Sequence, residues 1–514
     1  MSDSQRIAKN TLMLYFRQIL IMLVSLYTVR VVLNVLGAED YGINNVVAGF
    51  VTMFNFLSSA MATASQRYFS YDLGKNDAEH LNKTFCITFL IYIFLCVFVL
   101  LIAETIGLWF VIRKLVIPKE RIFAAIWIYQ FSIISFIMTL VTTPYKASII
   151  AHESMDAYAY ISIVEVLLKL AVVFVLRVIT LDKLIIYGLL QCIVVSTNTL
   201  LYRIYAKRKF KECKYHFTWD INMLKEMLSF SGWNLFGSIA YVLKNQGLNI
   251  VLNLFFGPIV NAARGVAYQV NNAVVTFSHN FSMAVRPQIV KNYASEDIEK
   301  SINLVCSGSK LAYYLMFVFT LPLCLEMKYV LTIWLKNPPG FTVIFTILVL
   351  LDALIDSVNG PVITLMQATG KIRNYQILVG TILLFNVPVS YIALKVFNTP
   401  AHSIFIIAIL LTIIASIVRL IVTHIYASLK IKFYIKKVYL PCFLITIISC
   451  IFPGLIRYFM HEGVARFFIV VFVSVMSTLL AIFTVGINKH EREILINFCK
   501  QKLLKNRNLE ASHE

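Results

Sequence analysis

The sequence predicts an all-α polytopic membrane protein of about fourteen transmembrane helices, in two parallel-repeat six-helix lobes plus two extra C-terminal helices. Three observations carry this. Hydrophobic residues make up 59% of the 514 and charged residues only 14%, where soluble domains carry about 25% charged. Apolar runs of about 20 residues, enough to cross about 30 Å of hydrocarbon, recur from end to end. Segments of the first half also return in the second half at a constant distance.

In chain order the expected spans are Thr11–Leu36, Tyr41–Ala64, Thr84–Ile112, Ile122–Ser148, Ala157–Val178, Leu184–Tyr205, Leu228–Phe255, Val260–Val285, Ile302–Leu325, Phe341–Gln367, Ile377–Leu394, Ser403–Ser428, Val438–Ile456 and Val464–Val485. Residues 1–205 then form the first lobe, 206–227 a cytoplasmic basic linker, and 228–428 the second lobe. Residues 429–488 hold the last two helices and 489–514 a basic cytoplasmic tail, expected to lie on the inner membrane surface against anionic lipid. The polar start, Met1 to Asn10, leads into an apolar run with no small-residue cleavage site and reads as a first membrane helix.

The formal charge is +20, from 46 Lys and Arg against 26 Asp and Glu. These cations cluster in short gaps between apolar runs, without an RNA-binding aromatic motif, so they read as a topology signal and no nucleic-acid partner is expected. With both termini cytoplasmic, roughly 28 basic residues fall inside and about 11 outside. Arg113, Lys114, Lys119 and Arg121 run against that bias, which leaves a miscount near the third and fourth spans open. Nine scattered cysteines without a CxxC pair give neither a disulfide framework nor a paired-cysteine zinc site. No connection exceeds about 25 residues, which excludes an appended nucleotide-binding domain. Gly370-Lys371 lacks the preceding glycine of a phosphate-cradling loop. The energy source is then an ion gradient of H+ or Na+, the membrane potential or the substrate's own gradient, and no other cofactor or metal is expected.

The repeat is short but regular. Val32-Leu33-Asn34 returns as Val251-Leu252-Asn253, 219 residues later, and the same offset carries Arg67 onto Arg286. Between these anchors Asn45 falls on Arg264, Thr52 on Asn271, Ser59 on Ser278 and Thr63 on Ser282, one narrow face of the second and eighth spans. Small polar residues often do no more than join helices. Two polar stripes in matching register, one containing Arg264, favour a shared water-accessible cavity, because a polar line facing lipid leaves its hydrogen bonds unmet.

Ionisable groups inside spans are rare and unfavourable, about 2.5–3.5 kcal/mol at the bilayer centre, so each marks a candidate site. Chief among them are Arg17, Arg30, Lys244, Arg264, Lys310 and Arg419, against Glu165, Asp352 and Asp356. Arg17 and Arg30 lie near helix ends and either snorkel or line a cavity. Lys244, on the face of Asn234, Ser238, Tyr241 and Asn245, and Arg264 are the leading binding candidates. An excess of buried cation is satisfied by an anionic ligand, and a guanidinium matches phosphate oxygens in a two-pronged contact. Glu165 and Lys169, spaced i, i+4, read as an internal ion pair. Asp352 and Asp356 share a face with Asn359; they either couple transport to an ion or pair with Lys310 or Arg419. His279 reads as a packing residue.

Val35-Leu36-Gly37-Ala38-Glu39-Asp40-Tyr41-Gly42, the stretch ASIIAHESMDAYAYISIVE from Ala147 to Glu165, and Gln367-Ala368-Thr369-Gly370-Lys371 resemble bacterial polysaccharide-repeat-unit flippases. These are the O-antigen and capsule translocases of the multidrug/oligosaccharidyl-lipid/polysaccharide (MOP) superfamily, and the resemblance covers essentially the whole chain. It implies a MATE-like fold in the bacterial inner membrane, a central cationic cavity, alternating access and transfer of an undecaprenyl-pyrophosphate-linked oligosaccharide from the cytoplasmic to the periplasmic leaflet. Membrane lipids and glycan polymerase machinery are the implied partners. By that likeness Arg17, Arg30, Lys244 and Arg264 face the cavity; the polar faces with Asn45, Thr52, Ser59 and Asn271 are expected to contact the sugars, and close carboxylates at Asp352 and Asp356 are expected to take a coupling ion. Two other readings stand beside it: a lipid II flippase, and a MATE-type ion-coupled drug or cation antiporter, whose substrates prefer an acidic cavity. An enzyme comes last, for want of a large extracytoplasmic loop or a clustered His/Asp site.

Overall fold

The computed structural model describes residues 3–52, 54–113, 117–335 and 338–486. Among them the chain is helical throughout, with no strand. Ten helical segments are long and apolar enough to cross a bilayer: Ala78–Arg113, Lys119–Ala151, Met155–Val178, Lys183–Lys209, Ile298–Leu335, Thr342–Ala368, Arg373–Phe397, Ser403–Ala427, Ile431–Phe459 and Val464–Gly486. Each coincides with one expected span. The expected first and second spans fall in helices α1 (Asp3–Thr52) and α2 (Asn55–Lys75). The seventh and eighth share one long helix. The tail from 487 onward lies outside the described residues.

In order follow α3 (Ala78–Ile102), α4 (Leu108–Arg113), α5 (Ile122–Ala151), α6 (Met155–Val178), α7 (Lys183–Lys209), α8 (Ile221–Ala294) and α9 (Ile298–Leu335). After them come α10 (Thr342–Ser357), α11 (Asn359–Ala368), α12 (Arg373–Leu384), α13 (Asn386–Phe397), α14 (Ser403–Ala427), α15 (Ile431–Tyr434), α16 (Leu440–Phe459) and α17 (Val464–Ala481). Aspartates begin several of them by accepting bonds from otherwise unpaired N–H groups: Asp77 from His80, Asp182 from Leu184 and Ile185, Asp220 from Asn222 and Met223.

The repeat has a backbone counterpart. Helix α1 bends at Gly37 (φ 79°) and α8 at Gly257 (φ 74°), a left-handed conformation that a side chain resists. These bends lie 220 residues apart, while the ends of α2 and α8, Lys75 and Ala294, lie 219 apart. One residue is therefore absorbed between bend and helix end. Ser59 on Ser278 and Arg67 on Arg286 keep the helix-end register.

The chain divides into two compact units, the first of residues 8–239 and 290–297, the second chiefly of 240–289 and 298–486. The division falls inside α8, after Ile239, so the expected linker 206–227 lies wholly within the first unit. Its packing explains this. Phe210 and Cys213 join a core with Phe69, Phe85 and Tyr145. Asn82 donates to the Glu212 and Lys214 carbonyls at 2.8 and 3.2 Å, and Lys83 holds Asp220 at 2.7 Å.

In the first unit Arg121 binds both carboxylate oxygens of Asp40 and also Asp182, at 2.7 Å. Asp40, Arg121 and Asp182 belong to the connections after the first, third and fifth expected spans. One side chain thus ties the three alternate connections together at one end of the unit. In the second unit α16 and α17 pack on α9, fixed by Arg466 to buried Glu326 at 2.9 Å and by Tyr313 to Thr446 at 2.6 Å.

Candidate functional site: a charged cavity in the second unit

From Ile404 to Thr423 helix α14 is apolar except for Thr412, Ser416, Arg419 and Thr423, whose steps of four, three and four put them on one face. It packs on α10 and α11, which present Asp352, Asp356 and Asn359 at steps of four and three. Lys244 and Asn271 arrive from the two halves of α8. Of these, Thr412, Arg419, Asp352, Asp356, Lys244 and Asn271 line a cavity of about 240 Å³ with Tyr241, Asn245, Tyr268 and His279.

The charges in its wall are matched in pairs. Lys244 Nζ stands 3.3 Å from Asp352 Oδ2 and donates to Thr412 Oγ1 at 3.3 Å. Arg419 Nη1 donates to Asp356 Oδ1 at 2.8 Å, and Asn359 adds a bond to the same oxygen at 3.0 Å while reaching Ser416 at 2.8 Å. Lys244 and Arg419 are buried. The Asp352 Oδ1 and Arg419 Nε atoms are also buried, without a hydrogen-bond partner. Removing either member of such a pair strands the other charge, a loss of about 3–5 kcal/mol.

Arg264 differs. Among the described residues it makes no ion pair. Its Nη1 donates to Asn249 Oδ1 at 3.2 Å, its Nη2 to the Asn245 carbonyl at 2.6 Å, and the guanidinium lies 4.2 Å from the Tyr268 ring centroid. Its Nε is buried without an acceptor. A cation on an aromatic face gains about 0.5–2 kcal/mol, less than a carboxylate would give.

The structure therefore gathers Lys244, Asn271, Asp352 and Asp356 in one cavity, with Arg264 behind its Asn245–Tyr268 wall. It corrects the expectation of buried cations without matching acid: that holds for Arg264, whereas Lys244 and Arg419 are answered by aspartates one helix away. Of the two partners considered for the aspartates, Arg419 is in place and Lys310 is not; its Nζ is 3.4 Å from the Gly486 carbonyl. Glu165 and Lys169 pair as expected, at 2.6 Å. Arg17 lies in the first unit over Tyr158, and Ser59 is exposed on α2. The side chains of Arg30, Asn45 and Thr52 fall outside the described residues. Thr412 and Tyr268 escaped the sequence reading, although the stripe on α14 was there to be found.

Helices of this order, with a polar, charged cavity among them, define an all-α multi-pass membrane protein, and the solved structures agree on the fold. The chain is similar to an outward-facing MATE-family multidrug resistance transporter of the MOP superfamily, at 12% identity and TM-score 0.72 over 83% of this chain and 96% of that one. A MOP transporter from Pyrococcus furiosus, described as having a binding pocket of reverse polarity, matches at 13% identity and TM-score 0.70, over 83% and 96%. A MATE protein in its straight conformation matches at 12% and 0.71, over 83% and 97%. No curated protein matches the chain. Residues 7–293 match the family described as polysaccharide biosynthesis protein, and the chain belongs to that family.

Proposed function

We propose that the protein is a flippase that carries undecaprenyl-pyrophosphate-linked oligosaccharide repeat units from the cytoplasmic to the periplasmic leaflet of a bacterial inner membrane. The observation that carries this reading is a buried arginine without an ion pair among the described residues, Arg264, directly behind the Asn245–Tyr268 wall of a cavity whose own charges, Lys244 and Arg419 against Asp352 and Asp356, balance. Family membership supplies the glycan context. A diphosphate entering the cavity competes with the aspartates for cations already positioned, and the two-pronged guanidinium suits its oxygens. Tyr241, Asn245 and Asn271 offer hydrogen bonds to sugar hydroxyls. Alternating exposure of the cavity to the two leaflets then completes transfer, with glycan polymerase machinery as the receiving partner.

The fold neighbours favour one other reading, an antiporter of cationic drugs. A cationic substrate would have to displace Lys244 and Arg419 from the only carboxylates among the described cavity residues, which disfavours it.

The deciding experiment replaces Arg264 with Gln in a strain whose own repeat-unit flippase is deleted and measures surface glycan. Loss of export with normal protein level supports the proposal. Export at the unaltered level with both Arg264→Gln and Lys244→Gln/Asp352→Asn in place overturns the binding role.

A further inference from the structure

Between α7 and α8, within the first unit, the chain runs without helix from Lys214 to Asp220, and both of those residues are extended. Successive residues of an extended chain point to opposite sides, and here the two sides differ. His216 turns to α3, its backbone N–H and its ring Nδ1 each 3.4 Å from Cys86 Sγ. Thr218 Oγ1 is buried, and Asp220 pairs with Lys83 while capping α8. The alternate residues Phe217 and Trp219 are 71% and 58% exposed, with their rings stacked 6.5 Å apart, and Ile221 continues the row at 51%. Tyr215, at the head of the segment, lies on Phe89 with centroids 5.1 Å apart.

We propose that residues 214–221 form a strap that docks on an anionic bilayer surface, with Phe217, Trp219 and Ile221 at the boundary of headgroups and acyl chains and the neighbouring cations against lipid phosphates. Depth supports this. The strap and the residues just before it meet α3 at Asn82, Lys83, Cys86 and Phe89, and the apolar run of that helix begins at Thr84. The row therefore lies where polar chain gives way to membrane-spanning chain, the level at which tryptophan and tyrosine gather. Charge selects the lipid. The three acids between residues 206 and 227 are engaged, Glu212 by His152, Asp220 by Lys83 and Glu226 by Tyr68. Arg208, Lys211, Lys214 and Lys225 are exposed and make no ion pair among the described residues. A cationic rim around an exposed aromatic row fits anionic headgroups, each lysine near such a surface changing partitioning about fivefold. Because His216 and Asp220 pin the inward side, the row is presented ready-made, with little ordering left to oppose docking. The strap stands whether or not the protein transports a glycan.

The test uses the full-length protein in phosphatidylcholine nanodiscs containing increasing amounts of phosphatidylglycerol or phosphatidylcholine brominated near the carbonyl end of its chains. The Trp219 signal is the difference in fluorescence between the native protein and Trp219→Phe. Brominated phosphatidylglycerol should reach half-maximal quenching of that signal at a mole fraction at least about fivefold below that of brominated phosphatidylcholine, and aqueous iodide should quench it little. Lys211→Gln together with Lys214→Gln should remove most of that preference while the melting temperature stays unchanged, which separates lost lipid docking from misfolding. Equal quenching by the two brominated lipids overturns the anionic docking. Strong quenching by iodide with none by either lipid overturns contact with the bilayer altogether and assigns the row to a soluble partner.

Discussion

Lys244 on α8 and Asp352 on α10 form an ion pair at 3.3 Å, with the lysine side chain almost fully buried and its second partner, Thr412, on α14. One contact therefore joins three helices around the cavity. Lys244→Ala strands Asp352, and thermal unfolding should show a loss of about 3–5 kcal/mol. Lys244→Met with Asp352→Leu removes both charges and should restore most of the stability while leaving glycan export absent. A stable double variant with full export would show the pair to be structural only.

The second pair, Arg419 with Asp356, bears on energy coupling. Sodium at either aspartate must displace a fixed cation with several hydrogen bonds, an exchange of like for like with no gain. A proton instead neutralises the carboxylate and releases the Lys244 or Arg419 cation for an anionic head group. Reconstituted transport should then respond to a proton gradient and ignore a sodium gradient, and Asp356→Asn should remove the proton response. Stimulation by sodium at constant pH would contradict this assignment.

How much of this was legible beforehand depended on range. Apolar length and charge placement are local properties, and the ten spans among the described residues follow them closely. The repeat was readable because Val-Leu-Asn and Arg recur, and the bends at Gly37 and Gly257 give it a physical basis. Pairing was readable only in part: Glu165 with Lys169 and Arg419 as a candidate for the aspartates were, Lys244 with Asp352 was not. Asp352 finds Lys244 108 residues away and Asp356 finds Arg419 63 residues away, separations that no helical periodicity encodes. The linker misled for a related reason: its Lys and Arg suggest solvent, while Phe210 and Cys213 between them decide its packing.

Glu212, in that segment, gives a pH prediction. Burial works against its carboxylate, but His152 at 2.5 Å and Ser148 at 3.3 Å more than offset this and hold it below the ordinary carboxylate range. His152 in turn stacks on Phe210, with centroids 4.0 Å apart. A depressed carboxylate stabilises the fold above its unfolded value, about 4.3, and loses that contribution as pH falls through the lower folded value. Melting temperature should drop on acidification below about pH 5. Glu212→Gln should destabilise the protein at neutral pH by about 1–3 kcal/mol and flatten the acid limb. An acid limb of unchanged steepness in that variant would assign it to other carboxylates.

Gly74 and Gly188 make a matched pair for backbone approach within the first unit. A Cβ on Gly74 would stand 2.5 Å from the Lys291 carbonyl oxygen and 2.8 Å from both the Lys291 Cα and the Ala294 Cβ. Those are backbone or stem atoms, and they are pinned: Lys291 binds buried Glu153 at 2.8 Å, and its carbonyl accepts from Ser295 at 2.9 Å. A Cβ on Gly188 instead meets Ile128 Cδ1 at 2.7 Å, the far end of a side chain that can turn aside. Alanine in a helix gains about 1 kcal/mol over glycine, and overpacking costs about 1–3 kcal/mol where nothing yields. Gly74→Ala should therefore lower the unfolding temperature, whereas Gly188→Ala should leave it unchanged or raise it. If Gly74→Ala proves as stable as the native protein, the ends of α2 and α8 do not approach as closely as described.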